Sequence, residues 1–132
     1  MLCDTLGHNL NCTLNKNFID KRREFYRFRE MNREEINEVI RLDDRYGKIV
    51  CMCNNVSEGE IVDSIRRPLG ARTVKGVKRR TGAGFGNCHG AYCNEKIIKI
   101  LSRELGKKIT DIVDDSKNSN VISGRIKEFK SI

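Results

Sequence analysis

Apolar residues fall at helical spacing most clearly over residues 94–105, where Ile97, Leu101 and Leu105 stand at i, i+4 and i+8. Asn94 is placed to cap this helix and Gly106 to stop it. A second helix is predicted just after Cys53. There Ser57 and Glu60 make a capping box, Val56 can staple against Ile61, and Ile61, Val62 and Ile65 share one face until Pro68 and Gly70 end the run. Asn32 with Glu35 repeats the capping box, with Met31 and Ile36 as its staple, and predicts a helix to about Leu42 closed by Asp43, Asp44 and Gly47. Thr73 heads a shorter helix with Val74 and Val77 inward and Lys75, Lys78, Arg79 and Arg80 outward, although Gly76 weakens it. Residues 48–50 read as a short extended lead into Cys51. Residues 109–114 allow one more helical turn, and residues 121–129 a short strand or a docked tail. No internal repeat appears, and the pattern is that of a mainly α chain.

Residues 1–30 lack periodicity and end in the charged run KRREFYRFRE, which reads as an arm or linker. The expected layout is this arm, a lead-in helix over 31–47, a small helical domain over 48–107 and a short C-terminal extension over 108–132. With 132 residues, 38% hydrophobic, 33% charged and no Trp, the chain supports one compact centre of about 60–80 residues rather than two large domains. A net charge of +8 favours an acidic partner, a phosphorylated ligand or nucleic acid without choosing among them. There is no run of 18 apolar residues and no signal-peptide core, so no membrane span and a cytoplasmic location are expected. In that compartment paired cysteines read as metal or redox sites rather than disulfides. No general acid–base pair and no nucleophile with its base stands out, so the chain is expected to have no turnover of its own.

The cysteines carry the chemistry. Cys51 and Cys53 form a C-x-C, Cys88 and Cys93 a C-x4-C, with 34 residues between the pairs. Four thiolates complete either a tetrahedral zinc site or a [2Fe–2S] site, and four unliganded or disulfide-forming thiols are the plain alternative. C-x-C is tighter than the usual zinc knuckle. Gly82, Gly84 and Gly86 lead straight into Cys88, giving a backbone that can approach a bulky inorganic core. Helices starting after each pair would aim N–H groups at the sulfurs. These details lean toward the cluster.

The run YGKIVCMCNNVSEGEIVDSIRRPLGARTVKGVKRRTGAGFGNCHGAYCNEKIIKILSREL resembles the bacterioferritin-associated-ferredoxin-like (BFD-like) [2Fe–2S]-binding domain. More closely, it resembles the version at the C-terminus of FAD-dependent oxidoreductases of the anaerobic glycerol-3-phosphate dehydrogenase type. The shared pattern is C-x-C, V-T/S-E-G-E-I, G-A-R-T-x-x-G-V-K-R-R-T, a glycine-rich turn and C-x4-C. The resemblance implies a small helical fold in which Cys51, Cys53, Cys88 and Cys93 hold a [2Fe–2S] cluster that relays electrons between a flavin or flavoprotein dehydrogenase and an acceptor. Met52, Asn54, Asn87 and His89 stand where the family tends to have Arg, Glu, Arg and Gln, which puts potential and partner choice in question more than cluster binding. No G-x-G-x-x-G follows a strand here. The chain is therefore expected to be a fragment or a separately encoded module that does not bind FAD in the family's way. A zinc-stabilised binding module or metal carrier using the same four cysteines is the alternative.

Arg66, Arg67, Arg72, Lys75, Lys78, Arg79 and Arg80 stand together with no acid among residues 66–80. They can form a solvated face that balances an anionic cluster, a docking surface for an acidic redox partner, or a nucleic-acid contact, the last disfavoured by the lack of stacking aromatics. Cys3, His8 and Cys12 supply only three ligands in a stretch where the pattern predicts no element, and read as adventitious or free thiols. His89, between two cysteines, could titrate near neutral pH, but a polar structural role is the simpler expectation. Phe25, Tyr26 and Phe28 read as a docking contact.

Overall fold

A computed structural model describes residues 16–18 and 25–124 of the chain. Cys3, His8 and Cys12, most of the expected arm and the end of the 121–129 segment lie outside the described residues. Among them no helix is long and apolar enough to cross a membrane.

The capping signals are used as written. The Asn32 side chain accepts from the Glu35 N–H at 2.9 Å and Glu35 accepts from the Asn32 N–H at 2.8 Å, opening helix α1, Arg33–Leu42. A 3-10 turn, Asp44–Gly47, follows and leads into strand β1, Ile49–Cys51. β1 pairs antiparallel with a two-residue strand β2, Val56–Ser57, with Ile49 opposite Ser57 and Cys51 opposite Val56 and an irregularity between them. The sequence pattern contains no signal for β2, because two residues are too few for alternation to show. β2 passes directly into helix α2, Glu58–Arg66, capped by Ser57 and Glu60. Helix α3, Val74–Thr81, begins on the Thr73 hydroxyl and ends at Gly82 in the left-handed region; helix α4, Asn94–Leu105, ends the same way at Gly106. A last 3-10 turn spans Ile109–Asp111. The architecture is mainly α, as the periodicity indicates.

Ile61, Ile65, Val74, Val77, Ile97, Leu101 and Ile112 are fully buried where α2, α3 and α4 meet. Each large aliphatic side chain placed there stabilises the fold by about 1.5–3 kcal/mol. Cys51 and Cys93 are part of the same core. A smaller core forms around Phe28, Val39 and Tyr46, and in it Phe28 packs inward. The Tyr46 ring lies so close to Gly59 that a Cβ there would come within 2.5 Å of it, and the Tyr46 hydroxyl meets Asp63 on α2 at 2.6 Å. The Phe28 N–H donates to Glu60, whose burial pushes its carboxyl above the usual range despite the Ser57 and Phe28 hydrogen bonds.

The segment after α4 closes the other side. Val113 and Asp114 carbonyls accept from the Val74 and Lys75 N–H groups at 3.1 and 2.8 Å, satisfying donors that the start of α3 would leave open. Asp114 pairs with Lys75, and Asp115 pairs with Lys75 and Arg79.

Candidate metal centre

The two cysteine pairs arrive from well-separated parts of the sequence and meet at one edge of the core. Cys51 is fixed as the last residue of β1 and is buried, whereas Cys53, in the turn between the strands, is exposed. Left-handed Asn55 completes that turn, and the Asn54 amide donates to the Gly82 carbonyl at 2.5 Å, tying it to the end of α3. On the other side, Cys88 is half-buried and Cys93, the residue on which α4 starts, is buried. The bend between them needs His89 and Gly90 in the left-handed region.

The thiols associate across the two motifs rather than within them. Cys53 Sγ lies 3.5 Å from Cys88 Sγ, and Cys51 is near enough to Cys93 to raise its pKa. Among the described residues, no three His, Cys, Asp or Glu side chains are grouped closely enough to hold a single metal ion. The result is two facing pairs, one buried and one nearer the surface.

The two sides differ electrostatically. The N–H group of Gly90, with contributions from the Cys53 thiol and the Tyr92 and Ala91 N–H groups, lowers the Cys88 pKa. Burial, followed by the charge of Cys51, pushes Cys93 up to about 11, partly offset by the positive charge of Lys78. The N–H donors therefore come from the C-x4-C loop itself rather than from the 82–86 glycine loop. Gly86 serves the site by leaving room: a Cβ there would overlap the Cys53 Cβ and lie 3.1 Å from its sulfur. The Lys78 chain runs over Gly84 in the same way, 2.8 Å from where a Cβ would be.

Two expectations about helix starts change. α2 begins five residues after Cys53, and its first N–H groups go to the Lys48 carbonyl and the Ser57 hydroxyl rather than toward sulfur. Asn94 is the first residue of α4, not its cap; the cap position is Cys93, without a side-chain bond. The Asn94 Oδ1 is buried against Gly90 without a hydrogen-bond partner among the described residues. His89 is exposed, and its N–H donates to the Gly86 carbonyl.

Most of the seven basic residues of 66–80 have partners within the chain. Arg66 binds Glu104 at 2.6 Å. Arg67 lies 4.7 Å over the Phe25 ring. Lys75 and Arg79 meet Asp114 and Asp115, and Arg80 donates to the Gly76 and Leu69 carbonyls. Arg72 is exposed, and Lys78, on α3, runs its side chain over Gly84 in the loop that leads to Cys88. Most of the acids that hold them are distant in sequence, so the basic run alone gave no sign of this.

A small helical domain with four thiols gathered from two loops at one edge is a compact cysteine-centred module. Residues 49–103, which contain Cys51, Cys53, Cys88 and Cys93, match the BFD-like [2Fe-2S] binding domain. It is 46% identical over 112 residues to a glycerol 3-phosphate dehydrogenase of Caloramator mitchellensis, covering 85% of this chain and 23% of that protein. It is 30% identical over 63 residues to the hydrogen cyanide synthase subunit HcnB of Pseudomonas aeruginosa, covering 45% of this chain and 13% of that one. The chain thus spans less than a quarter of the length of either relative. No solved structure matches it.

Proposed function

We propose that Cys51, Cys53, Cys88 and Cys93 hold a [2Fe–2S] cluster through which the chain relays electrons between a flavin and an acceptor, as part of a cytoplasmic oxidoreductase of the glycerol-3-phosphate dehydrogenase type. The observation that carries this is the pairing of the thiols across the two motifs, one pair buried and one at the surface. When bound, the cluster supplies one-electron exchange. The chain's own residues do the rest. The core around Cys51 and Cys93 excludes water from the inner pair. The Gly90, Ala91 and Tyr92 N–H groups and the start of α4 place partial positive charge against thiolates, which stabilises negative charge on sulfur. Lys78 adds a full charge beside Cys93. The outer pair is the route for electrons, because Cys53 is the exposed ligand. Arg66, Arg67, Arg72, Lys75, Lys78, Arg79 and Arg80 are proposed as docking cations, Arg72 and Lys78 foremost, since most of the others already have partners within the chain.

Protein purified without oxygen is expected to be red-brown, with about two irons and two sulfides per chain and a rhombic EPR signal on reduction. Cys53→Ser removes these signals, while Cys3→Ser and Cys12→Ser keep them. Colourless protein with one zinc per chain, refractory to iron reconstitution, would overturn the assignment in favour of a zinc-stabilised module. Reduction of the loaded protein by a reduced flavoprotein dehydrogenase, followed as bleaching in stopped flow, tests the electron path separately.

A further inference from the structure

Beside the C-x-C turn lies a cavity of about 200 Å³ lined by Arg27, Arg29, Arg79 and Arg80, with Glu30, Glu60 and Asn54 among its other walls. Two of the arginines come from the segment before α1 and two from the end of α3, so side chains about fifty residues apart in sequence converge on one concavity. Cations on a merely solvated face would spread apart to lower their mutual repulsion. The lining acids do not neutralise them: four guanidinium groups against two carboxylates leave a surplus of two positive charges, and Asp115, outside the lining, offsets part of this through Arg79.

The hydrogen bonds point the same way. Each guanidinium has five N–H donors. Arg27 places one on Glu30, and Arg80 uses the Gly76 and Leu69 carbonyls. Glu60 offers little in return, because its oxygens already accept from the Ser57 N–H, the Ser57 hydroxyl and the Phe28 N–H. Excess planar donors around a small concavity suit a tetrahedral dianion that can accept from several forks at once. We propose that this cavity is a phosphoryl-binding site, taking inorganic phosphate or the phosphate of a small monoester. Arg27, Arg29 and Glu30 precede the family-matched stretch, which begins at residue 49, so the site is built at the junction between that domain and the chain before it. With Asn54 in its wall, a bound phosphoryl group clamps that junction next to Cys53.

The test is calorimetric titration of the full chain at fixed ionic strength set with chloride, using inorganic phosphate, methyl phosphate and acetate. Saturable one-to-one binding of phosphate is expected, with Kd on the order of 1 mM or tighter. Arg29→Gln with Arg79→Gln weakens it at least about tenfold, while Lys96→Gln on exposed α4 surface leaves it unchanged. The circular dichroism of the double variant and a phosphate-induced rise in Tm, present in the wild type and lost in the variant, separate binding from misfolding. Methyl phosphate binding as well as phosphate identifies a monoester ligand, and phosphate binding alone identifies the free ion; both support the site. Acetate matching phosphate, or the same response in wild type and both variants, means an adventitious ion only and overturns it.

Discussion

Gly86 and Gly82 lie four residues apart in one loop and are glycine for different reasons. Gly86 is packed against Cys53, so any side chain there has to displace a proposed ligand. Gly82 is the left-handed end of α3, with φ of 81° and open space where a Cβ would go. Gly86→Ala is therefore expected to lower iron content several-fold while the helical circular dichroism is retained. Gly82→Ala costs about 1 kcal/mol of stability in urea denaturation and keeps its iron. Equal iron loss in both variants would mean that the whole loop, rather than the contact with Cys53, holds the site. At this scale much of the site was legible in the sequence. Four cysteines and a glycine loop announce a thiolate centre, but not which thiol meets which. That Cys53 faces Cys88 and Cys51 faces Cys93 follows from the turn at Asn55 and from β2, neither of which has a periodic signature. The donors to Cys88 were hidden for the same reason, since backbone N–H groups carry no side-chain signal.

Among the elements, α2 and α4 are joined at their surface by a chain of charges. Glu104 binds both Arg66 and Arg103, and Arg103 reaches back to Glu58 at 2.7 Å. The Glu104 side chain is 7% exposed. Burial raises its pKa, but the hydrogen bonds from Arg66 and Arg103 outweigh this and hold it below the usual value of 4.5. A depressed carboxyl binds its proton more weakly folded than unfolded, so its contribution is present above pH 4.5 and is lost as pH falls through the folded pKa. Glu104→Gln should cost about 1–2 kcal/mol at pH 7, with the gap from wild type shrinking as urea midpoints are taken toward pH 3. A gap independent of pH would show that shape rather than charge matters there. The elements themselves were largely legible. Asn32 with Glu35, Ser57 with Glu60, Thr73 and Gly106 marked their helix ends because a cap is a local device. Asn94 misled because Cys93, already committed to the centre, takes the cap position. The closing of α3 by residues 113–115 was not visible, because it joins carbonyls and acids to a helix some forty residues earlier.

At the scale of the whole molecule, the described residues form two cores with different roles. The larger one, where α2, α3 and α4 meet, includes Cys51 and Cys93. The smaller one, built on Phe28, Val39 and Tyr46, attaches α1 and the segment before it to α2. The attachment runs through the Tyr46 ring on Gly59, its hydroxyl on Asp63 and the Phe28 N–H on Glu60, with Arg67 over the Phe25 ring. Removing an aromatic side chain from a buried site costs about 3–5 kcal/mol, more than so small a core can lose and stay docked. Tyr46→Ala is thus expected to release amides of α1 to fast hydrogen exchange while those of Ile97 and Leu101 stay protected. Iron content and the EPR signal should survive, because no proposed ligand belongs to the smaller core. Phosphate binding should vanish, because Arg27 and Arg29 leave the cavity with their segment. Loss of iron in step with the α1 amides would instead mean that the two cores fold as one unit, and that the lead-in segment is needed to shape the cysteine loops.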